Sequence, residues 1–395
     1  MNKDIIILGS TGSIGTSTLN IIRRNKKKFN IKLLTANNNI KKILSQSIEF
    51  KVNKIVIQNK KKYIKFENQF KRNKIQVFFE LEKALKSINK KVHYTINAIS
   101  GIDGLEPTIK IIKYTKNIAI ANKESIICGW KFIKNTLKKN KTNFIPIDSE
   151  HFSIWSLIKN EKKKNIKKIY LTASGGPFLN KKLLNMKNVK AKLALKHPNW
   201  NMGKKISIDS ATMMNKIFEL IEAKKIFNLD INKFDIIIHP KSYIHAVVHF
   251  NNGLVKFLTH DTTMEVPIMN FLYLNNESFI YNGNNLNFEL LNGINFINPD
   301  KKKFPFLNLI KIIPIKNSYF ETILITINDE LVTRYLRGEI NYFSLNNNLL
   351  NMIKKPYFTK YYQSSPNNIN DIKSMVNKVK NYLNKYFKTK CKKNN

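Results

Sequence analysis

Residues 4–15, Asp4-Ile5-Ile6-Ile7-Leu8-Gly9-Ser10-Thr11-Gly12-Ser13-Ile14-Gly15, decide the fold. A short, uninterrupted apolar run is what a central strand of a parallel sheet needs, because both of its faces are covered. Glycines directly after such a strand let the backbone turn sharply and approach a pyrophosphate, whose charge rests at the start of the next helix. The spacing is GxxGxxG rather than GxGxxG, so the weight lies on context: a strand, a tight turn, a helical segment and another strand. A glycine turn without a ligand is the plain alternative.

Working outward, further strand-like runs fall at Ile31–Ala36, Lys54–Gln58, Tyr94–Ile99, Ile118–Ala121 and Phe144–Ile147. Several are separated by stretches long enough for crossover helices. This alternation predicts an α/β domain over residues 1–148, a doubly wound, Rossmann-like parallel sheet. At the end of the second strand, an NAD site carries Asp or Glu for the ribose hydroxyls. Here that place reads Thr35-Ala36-Asn37-Asn38-Asn39, followed by Lys41 and Lys42. With no carboxylate to repel a 2′-phosphate, NADP(H) fits better than NAD(H).

From 149 to 272 the pattern becomes α+β. It has strands at Lys168–Ala173, Asp235–Ile238, Ile244–Phe250 and Leu254–Leu258, and a helix over Ala211–Phe227. Residues 273–303, rich in Asn and Gly, read as a linker. Helical periodicity returns in 304–395, with Asn370 or Asp371 as a cap for the last helix and a basic tail at the end.

The chain has 395 residues, more than one domain's worth, with 69 Lys+Arg against 26 Asp+Glu and a formal charge of +43. The lysines are spread from end to end and interleaved with Asn and Ile, as an AT-biased genome would encode. A nucleic-acid face would instead cluster them with arginine and aromatics. Two distant cysteines, Cys128 and Cys391, exclude a disulfide framework and point to a reducing compartment, the cytoplasm. No apolar run approaches the ~18–20 residues of a membrane span, and the first residues do not form an export signal.

Chemistry gathers in three further segments. Ile145-Pro146-Ile147-Asp148-Ser149-Glu150-His151 ends a strand. Read as extended chain, it presents Asp148 and Glu150 on one side, two hard oxygen donors suited to Mg²⁺ or Mn²⁺. A polar strand end capping a helix is the alternative. In Ser207 to Glu219, a helix capped by Ser210 would put Asn215, Lys216 and Glu219 on one face, which suits a phosphate or polyol and a third metal carboxylate. An ordinary amphipathic helix is the alternative there. His197-Pro198-Asn199-Trp200-Asn201-Met202-Gly203-Lys204 reads as a lid able to close apolar area over a ligand, or else as a structural loop. His245 and His249 have metal-ligand spacing but lie in a strand-like run and lack the HExxH glutamate, so they read as structural.

Taken together, GSTGSIG (9–15), ANKES (121–125), PIDSEH (146–151), SGGPF (174–178), HPNWNMGKKIS (197–207), DSATMMNK…E (209–219) and IHP (238–240) resemble the 1-deoxy-D-xylulose 5-phosphate reductoisomerase family. The resemblance is dense over the first two domains and loose in the tail. It implies NADPH-dependent rearrangement and reduction of 1-deoxy-D-xylulose 5-phosphate to 2-C-methyl-D-erythritol 4-phosphate, in non-mevalonate isoprenoid synthesis, by a cytoplasmic homodimer. A retro-aldol and aldol route is the family expectation; the residues themselves do not select it over a migration. By matching positions, Asp148, Glu150 and Glu219 would hold Mg²⁺ or Mn²⁺, with Co²⁺ a further option. Lys123 and Ser149 would touch the substrate's carbonyl and hydroxyl end. Ser174, His197, Ser210, Asn215 and Lys216 would hold its phosphate and hydroxyls. Thr11, Gly12, Ser13, Ile14, Asn122, Glu124 and Gly203 would contact NADPH, together with Asn37, Asn38 and Asn39. His197, Trp200 and Met202 would form the lid.

Three departures accompany the resemblance. Asn37-Asn38-Asn39 stands where the family has Gly-Lys-Asn, which predicts weaker NADPH binding with its preference over NADH retained and Lys41 or Lys42 compensating. Glu265 replaces a common arginine. Asn328-Asp329-Glu330 follows the family's pattern only roughly. The competing readings are a different NADP-linked, metal-independent dehydrogenase and a basic nucleic-acid-binding protein.

Overall fold

The computed structural model describes residues 2–200, 202–274, 279–281, 283 and 288–393, with side chains at all of these except 185 and 390–393. In chain order the strands are β1 (Lys3–Leu8), β2 (Phe29–Ala36), β3 (Lys54–Ile57), β4 (Gln76–Phe78), β5 (Val92–Asn97), β6 (Thr115–Ile120), β7 (Asn143–Phe144), β8 (Ile166–Ala173), β9 (Phe234–Ile238), β10 (Ile244–Phe250) and β11 (Val255–Thr259). The helices are α1 (Ser13–Arg24), α2 (Ile40–Glu49), α3 (Lys60–Arg72), α4 (Leu81–Lys86), α5 (Leu105–Ile112), α6 (Lys123–Asn140), α7 (Ser149–Ile158), α8 (Ala191–Ala194), α9 (Lys204–Ala211), α10 (Met214–Phe227), α11 (Glu265–Leu272), α12 (Phe288–Leu291), α13 (Phe320–Leu336), α14 (Tyr342–Met352), α15 (Pro356–Thr359) and α16 (Ile369–Lys393). None of the described helices is long and apolar enough to cross a membrane.

The chain forms two compact units. The first comprises residues 1–152 and 263–283. Its sheet is wholly parallel, in the order β4-β3-β2-β1-β5-β6-β7. Ile5, Ile6, Ile7 and Leu8 are fully buried, as a strand covered on both faces demands. The chain reverses direction across the sheet at β1, and in such sheets ligands bind at the carboxyl ends of the strands where the order switches. β4, only three residues long at the sheet edge, offers too little apolar pattern to stand out in the sequence. Glu265 has found a new partner: its carboxylate takes both terminal nitrogens of Arg24, at 2.8 and 3.2 Å, joining α11 to the end of α1.

The second unit comprises residues 153–262 and 284–395. Its four-stranded sheet has the order β11-β10-β8-β9, with β10 antiparallel to both neighbours and β8 parallel to β9. In the 273–303 stretch, Ile297 adds an antiparallel bridge to Ile238; residues 275–278, 282 and 284–287 lie outside the described residues, as do Asn201 and the tail residues 394–395. α16 starts earlier than the sequence suggested. Its cap is Asn368, whose side chain accepts from the Asp371 N–H at 3.0 Å, while Asp371 accepts from the Asn367 N–H at 2.8 Å. Asp371 thus reaches back to the residue before the cap, a variant of the capping box built on Asn and Asp.

Candidate active site

The turn after β1 is pinned to the end of β2. Gly9 N–H donates to Thr35 Oγ1 at 2.8 Å, Ser10 N–H to Thr35 O at 2.9 Å, and Ser10 Oγ to buried Gln46 at 2.9 Å. Gly9 has φ +77°, and a Cβ there would lie 2.7 Å from Ala98 O; one on Gly15 would lie 2.5 Å from Gly9 O. Glycine is thus required for the chain to pass this close to its neighbours. Gly12 caps α1 with no side chain over its end, and Thr11, Gly12, Ser13 and Ile14 remain at least partly exposed. The opening N–H groups of a twelve-residue helix therefore face outward, where an anion is favoured. In the β2–α2 turn, Asn37, Asn38 and Asn39 are exposed, and Asn39 accepts from Lys42 N–H at 3.2 Å as the cap of α2. Asn122 caps α6 through Ser125 N–H at 2.9 Å, with Glu124 buried in the helix's first turn.

Lys123, the first residue of α6, places Nζ 2.5 Å from Asp148 Oδ2. On the other side, fully buried His151 sets Nδ1 2.8 Å from Asp148 Oδ1. Burial would raise the Asp148 pKa, but the Lys123 and His151 charges and hydrogen bonds outweigh it and hold the carboxyl well below its usual range. Asp148 is therefore a permanent carboxylate. The backbone differs from the extended chain expected: β7 stops at Phe144 and α7 begins at Ser149, so Phe152 N–H already bonds to Asp148 O at 2.7 Å. Asp148 and Glu150 are brought together by the first turn of a helix, not by strand alternation. Ser149 is buried, with Oγ donating to Glu150 Oε2 at 2.6 Å. His151 was missed from the sequence; its signal was the i, i+3 spacing from Asp148 on α7.

In the second unit, the helix expected over Ala211–Phe227 is present but starts three residues later, at Met214, directly after a separate short helix, α9. α9 ends at Ala211, Met213 adopts a left-handed φ of 63°, and α10 starts at Met214. Ser210 lies in the last turn of α9 and caps nothing. The break is held from afar: Tyr342 Oη donates to Ala211 O at 2.9 Å, and Asn328 Nδ2 donates to Asp209 Oδ1 at 2.7 Å. Lys205 also meets Asp329 at 2.9 Å, so the loosely matching Asn328-Asp329 pair does structural work on α9. Along α10, Asn215 Nδ2 and Lys216 Nζ each approach a different oxygen of buried Glu219 at 2.5 Å, the pairing the spacing predicted.

The loop before α9 turns on His197. Its Nδ1 accepts from the N–H groups of Asn199 and Trp200 at 3.2 and 3.0 Å, and its Nε2 lies 2.9 Å from Ser174 Oγ. Burial, and then the Lys216 charge, lower its pKa to about 4, so the ring is neutral near pH 7. With Nδ1 accepting, the ring proton must sit on Nε2 and be donated to Ser174 Oγ. That oxygen also accepts from Gly176 N–H at 3.0 Å, which leaves the serine's own proton to be given to a ligand. Asn199 Nδ2 anchors the loop to Pro240 O and Ser242 Oγ, both at 2.8 Å, and Trp200 meets the His245 ring edge-on at 6.1 Å. Met202 is half-buried, and Gly203 is exposed as the cap of α9. His245, buried in β10, stacks on His260 at 3.7 Å, the structural role its strand position implied.

Asp148 and Glu150 offer carboxylate oxygens at the start of α7 in the first unit, and Glu219 offers one from α10 in the second. An all-oxygen donor set of this kind fits a hard divalent ion rather than zinc or copper.

A parallel sheet with an open glycine turn after its first strand, together with an oxygen-ligand cation site, defines a dinucleotide-dependent oxidoreductase that uses a divalent metal. Comparison with known proteins narrows the class. Profiles of the 1-deoxy-D-xylulose 5-phosphate reductoisomerase family match residues 5–129 and, for its C-terminal domains, 144–227 and 260–382. The 1-deoxy-D-xylulose 5-phosphate reductoisomerase of Pelagibacter ubique is 49% identical over 375 residues, covering 94% of this chain and 96% of that one. That of a Sulfurihydrogenibium species is 36% identical, covering 95% and 96%. Among solved structures, the Zymomonas mobilis enzyme in complex with NADPH superposes with a TM-score of 0.86 at 28% identity, over 96% of this chain and 97% of that one. A reductoisomerase complex with NADPH, fosmidomycin and magnesium gives 0.88 at 30% identity, over the same shares. The chain belongs to the 1-deoxy-D-xylulose 5-phosphate reductoisomerase family.

Proposed function

We propose that this chain converts 1-deoxy-D-xylulose 5-phosphate to 2-C-methyl-D-erythritol 4-phosphate with NADPH and Mg²⁺ or Mn²⁺. The observation that carries this reading is Asp148, held as a carboxylate between Lys123 and His151 with Glu150 in the same helix start. When bound, the metal supplies Lewis-acid polarisation of a ketone and hydroxyl pair, and NADPH supplies hydride. Asp148, kept ionised by Lys123 and His151, is a ligand ready at any working pH. Lys123, beside that carboxylate, and Ser149 Oγ contact the substrate's carbonyl and hydroxyl end. Ser174 gives its hydroxyl proton to the phosphate, while neutral His197 fixes the serine's orientation without adding charge. Ser210, Asn215 and Lys216 supply the remaining donors for phosphate and chain hydroxyls. Trp200 and Met202 cover the apolar side of the ligand and exclude water.

Thr11, Gly12, Ser13 and Ile14, together with Asn37, Asn38, Asn39, Asn122, Glu124 and Gly203, would hold NADPH, which would supply hydride. In this reading residues 1–148 bind NADPH, 149–272 carry the chemistry and pair two copies, 273–303 connect, and 304–395 brace α9. The protein works as a cytoplasmic homodimer. Incubation with 1-deoxy-D-xylulose 5-phosphate, NADPH and Mg²⁺, followed by NMR of the product, tests the reaction. 2-C-methyl-D-erythritol 4-phosphate is expected; a simply reduced, unrearranged pentitol phosphate would contradict it.

A further inference from the structure

An enzyme that selects NADPH needs a cation for the 2′-phosphate, and at position 38, where the family resemblance calls for lysine, this chain has Asn38. We propose that Lys62, from the start of α3, supplies that cation. The inference rests on the NADPH reading and concerns only which residue discriminates NADPH from NADH.

The sheet order puts the two segments together. β3 pairs with β2, so the β3–α3 turn runs beside the β2–α2 turn, and Gln58 N–H donates to Ala36 O at 3.0 Å. Two side chains of the second turn then reach the same residue of the first. Asn59 Nδ2 donates to Asn38 Oδ1 at 2.9 Å, and Lys62 Nζ donates to Asn38 O at 2.6 Å. Asn59 also caps α3 by accepting from Lys62 N–H at 3.1 Å, which fixes the helix turn that carries the lysine. The ammonium lost from the side chain at 38 is thereby restored within hydrogen-bond reach of that residue's backbone.

Lys62 is half-buried, and among the described residues its Nζ meets a carbonyl and no carboxylate, so its charge is not neutralised within the chain. The end of β2 is where dinucleotide folds read the ribose 2′ position. Lys42 serves elsewhere: its Nζ donates to Thr11 O in the glycine turn, at 3.1 Å. Lys41 is exposed. The Lys60-Lys61-Lys62 run opening α3 opposes the helix dipole, an arrangement that favours a site for an anionic ligand over a purely structural role.

The test is calorimetric binding of NADPH and of NADH to the full chain, wild type against Lys62→Ala, with exposed Lys61→Ala as the charge-matched control. Losing one charge-assisted contact to phosphate should raise the NADPH Kd about tenfold. NADH binding should be unchanged in every variant and Lys61→Ala should match wild type. Asn38→Lys added to Lys62→Ala should restore NADPH affinity. An unchanged NADPH Kd in Lys62→Ala, equal weakening of NADH, or equal loss in Lys61→Ala would overturn the assignment. A folded wild type that binds no NADPH would instead overturn the cofactor reading itself.

Discussion

Two corners of the molecule handle charge in opposite ways. In the first unit, Asp148 is clamped between Lys123 and His151, and the clamp forces a buried carboxyl to stay ionised. In the second, the Ser174–His197 pair is kept neutral, by burial and by the neighbouring Lys216 charge. The first stands on helix starts, where a ligand for a cation must be rigid. The second stands on a loop that Asn199 ties to Pro240 and Ser242. A fixed anion and a neutral donor are thus obtained from the same ingredient, burial, by changing the neighbours.

The comparison predicts unequal consequences. Asp148→Asn removes a proposed metal ligand and leaves Lys123 and His151 without their anion; turnover should fall more than about a hundredfold, beyond the 10–100-fold typical of losses among residues that only orient the ligands. Steady-state rates across a Mn²⁺ titration check this, and rescue by excess metal to full activity would break it. Gly15→Ala should cost about 1–3 kcal/mol, because its Cβ would strike Gly9 O. Denaturant unfolding measures that cost, with NADPH affinity falling in parallel.

His197→Gln should raise the substrate KM about tenfold with kcat little changed, the cost of one lost hydrogen-bond arrangement. It should also flatten the acid limb of stability. The folded imidazole, with its pKa near 4, stays neutral where an unfolded one takes up a proton below 6.5. Stability from this group is therefore full above about pH 6.5 and is lost as pH falls toward 4. Melting curves over that window should show a smaller decline in the variant; identical slopes would remove the neutral-histidine account. Smallest of all, a double-mutant cycle on Arg24 and Glu265 should yield less than about 1 kcal/mol, as for exposed ion pairs.

The sheet was legible because its central strands are unbroken apolar runs, and the glycine turn because its neighbours exclude any side chain. The carboxylates proposed as metal ligands stood out by residue type, but the backbone that carries two of them did not. Nothing in Ile147-Asp148-Ser149 distinguishes a strand end from a helix start, although the seat of Asp148 depends on it. The break at Met213 was illegible for a deeper reason. No Gly or Pro marks it; Tyr342 and Asn328, more than a hundred residues away in sequence, hold Ala211 and Asp209 in place. Lys62 lay hidden in the same way, since only the pairing of β3 with β2 brings it to Asn38. The overall charge of +43 proved a poor guide, being carried by lysines scattered over the whole chain.

The most direct measurement is NADPH oxidation by the purified chain with 1-deoxy-D-xylulose 5-phosphate, run with Mn²⁺, with EDTA, and again for Glu219→Gln. The account predicts oxidation that needs both substrate and metal, vanishes in EDTA, returns on adding Mn²⁺, and is nearly abolished in the variant. Substrate-dependent oxidation that persists in EDTA, or a folded, Mn²⁺-loaded wild type that oxidises no NADPH, would contradict it.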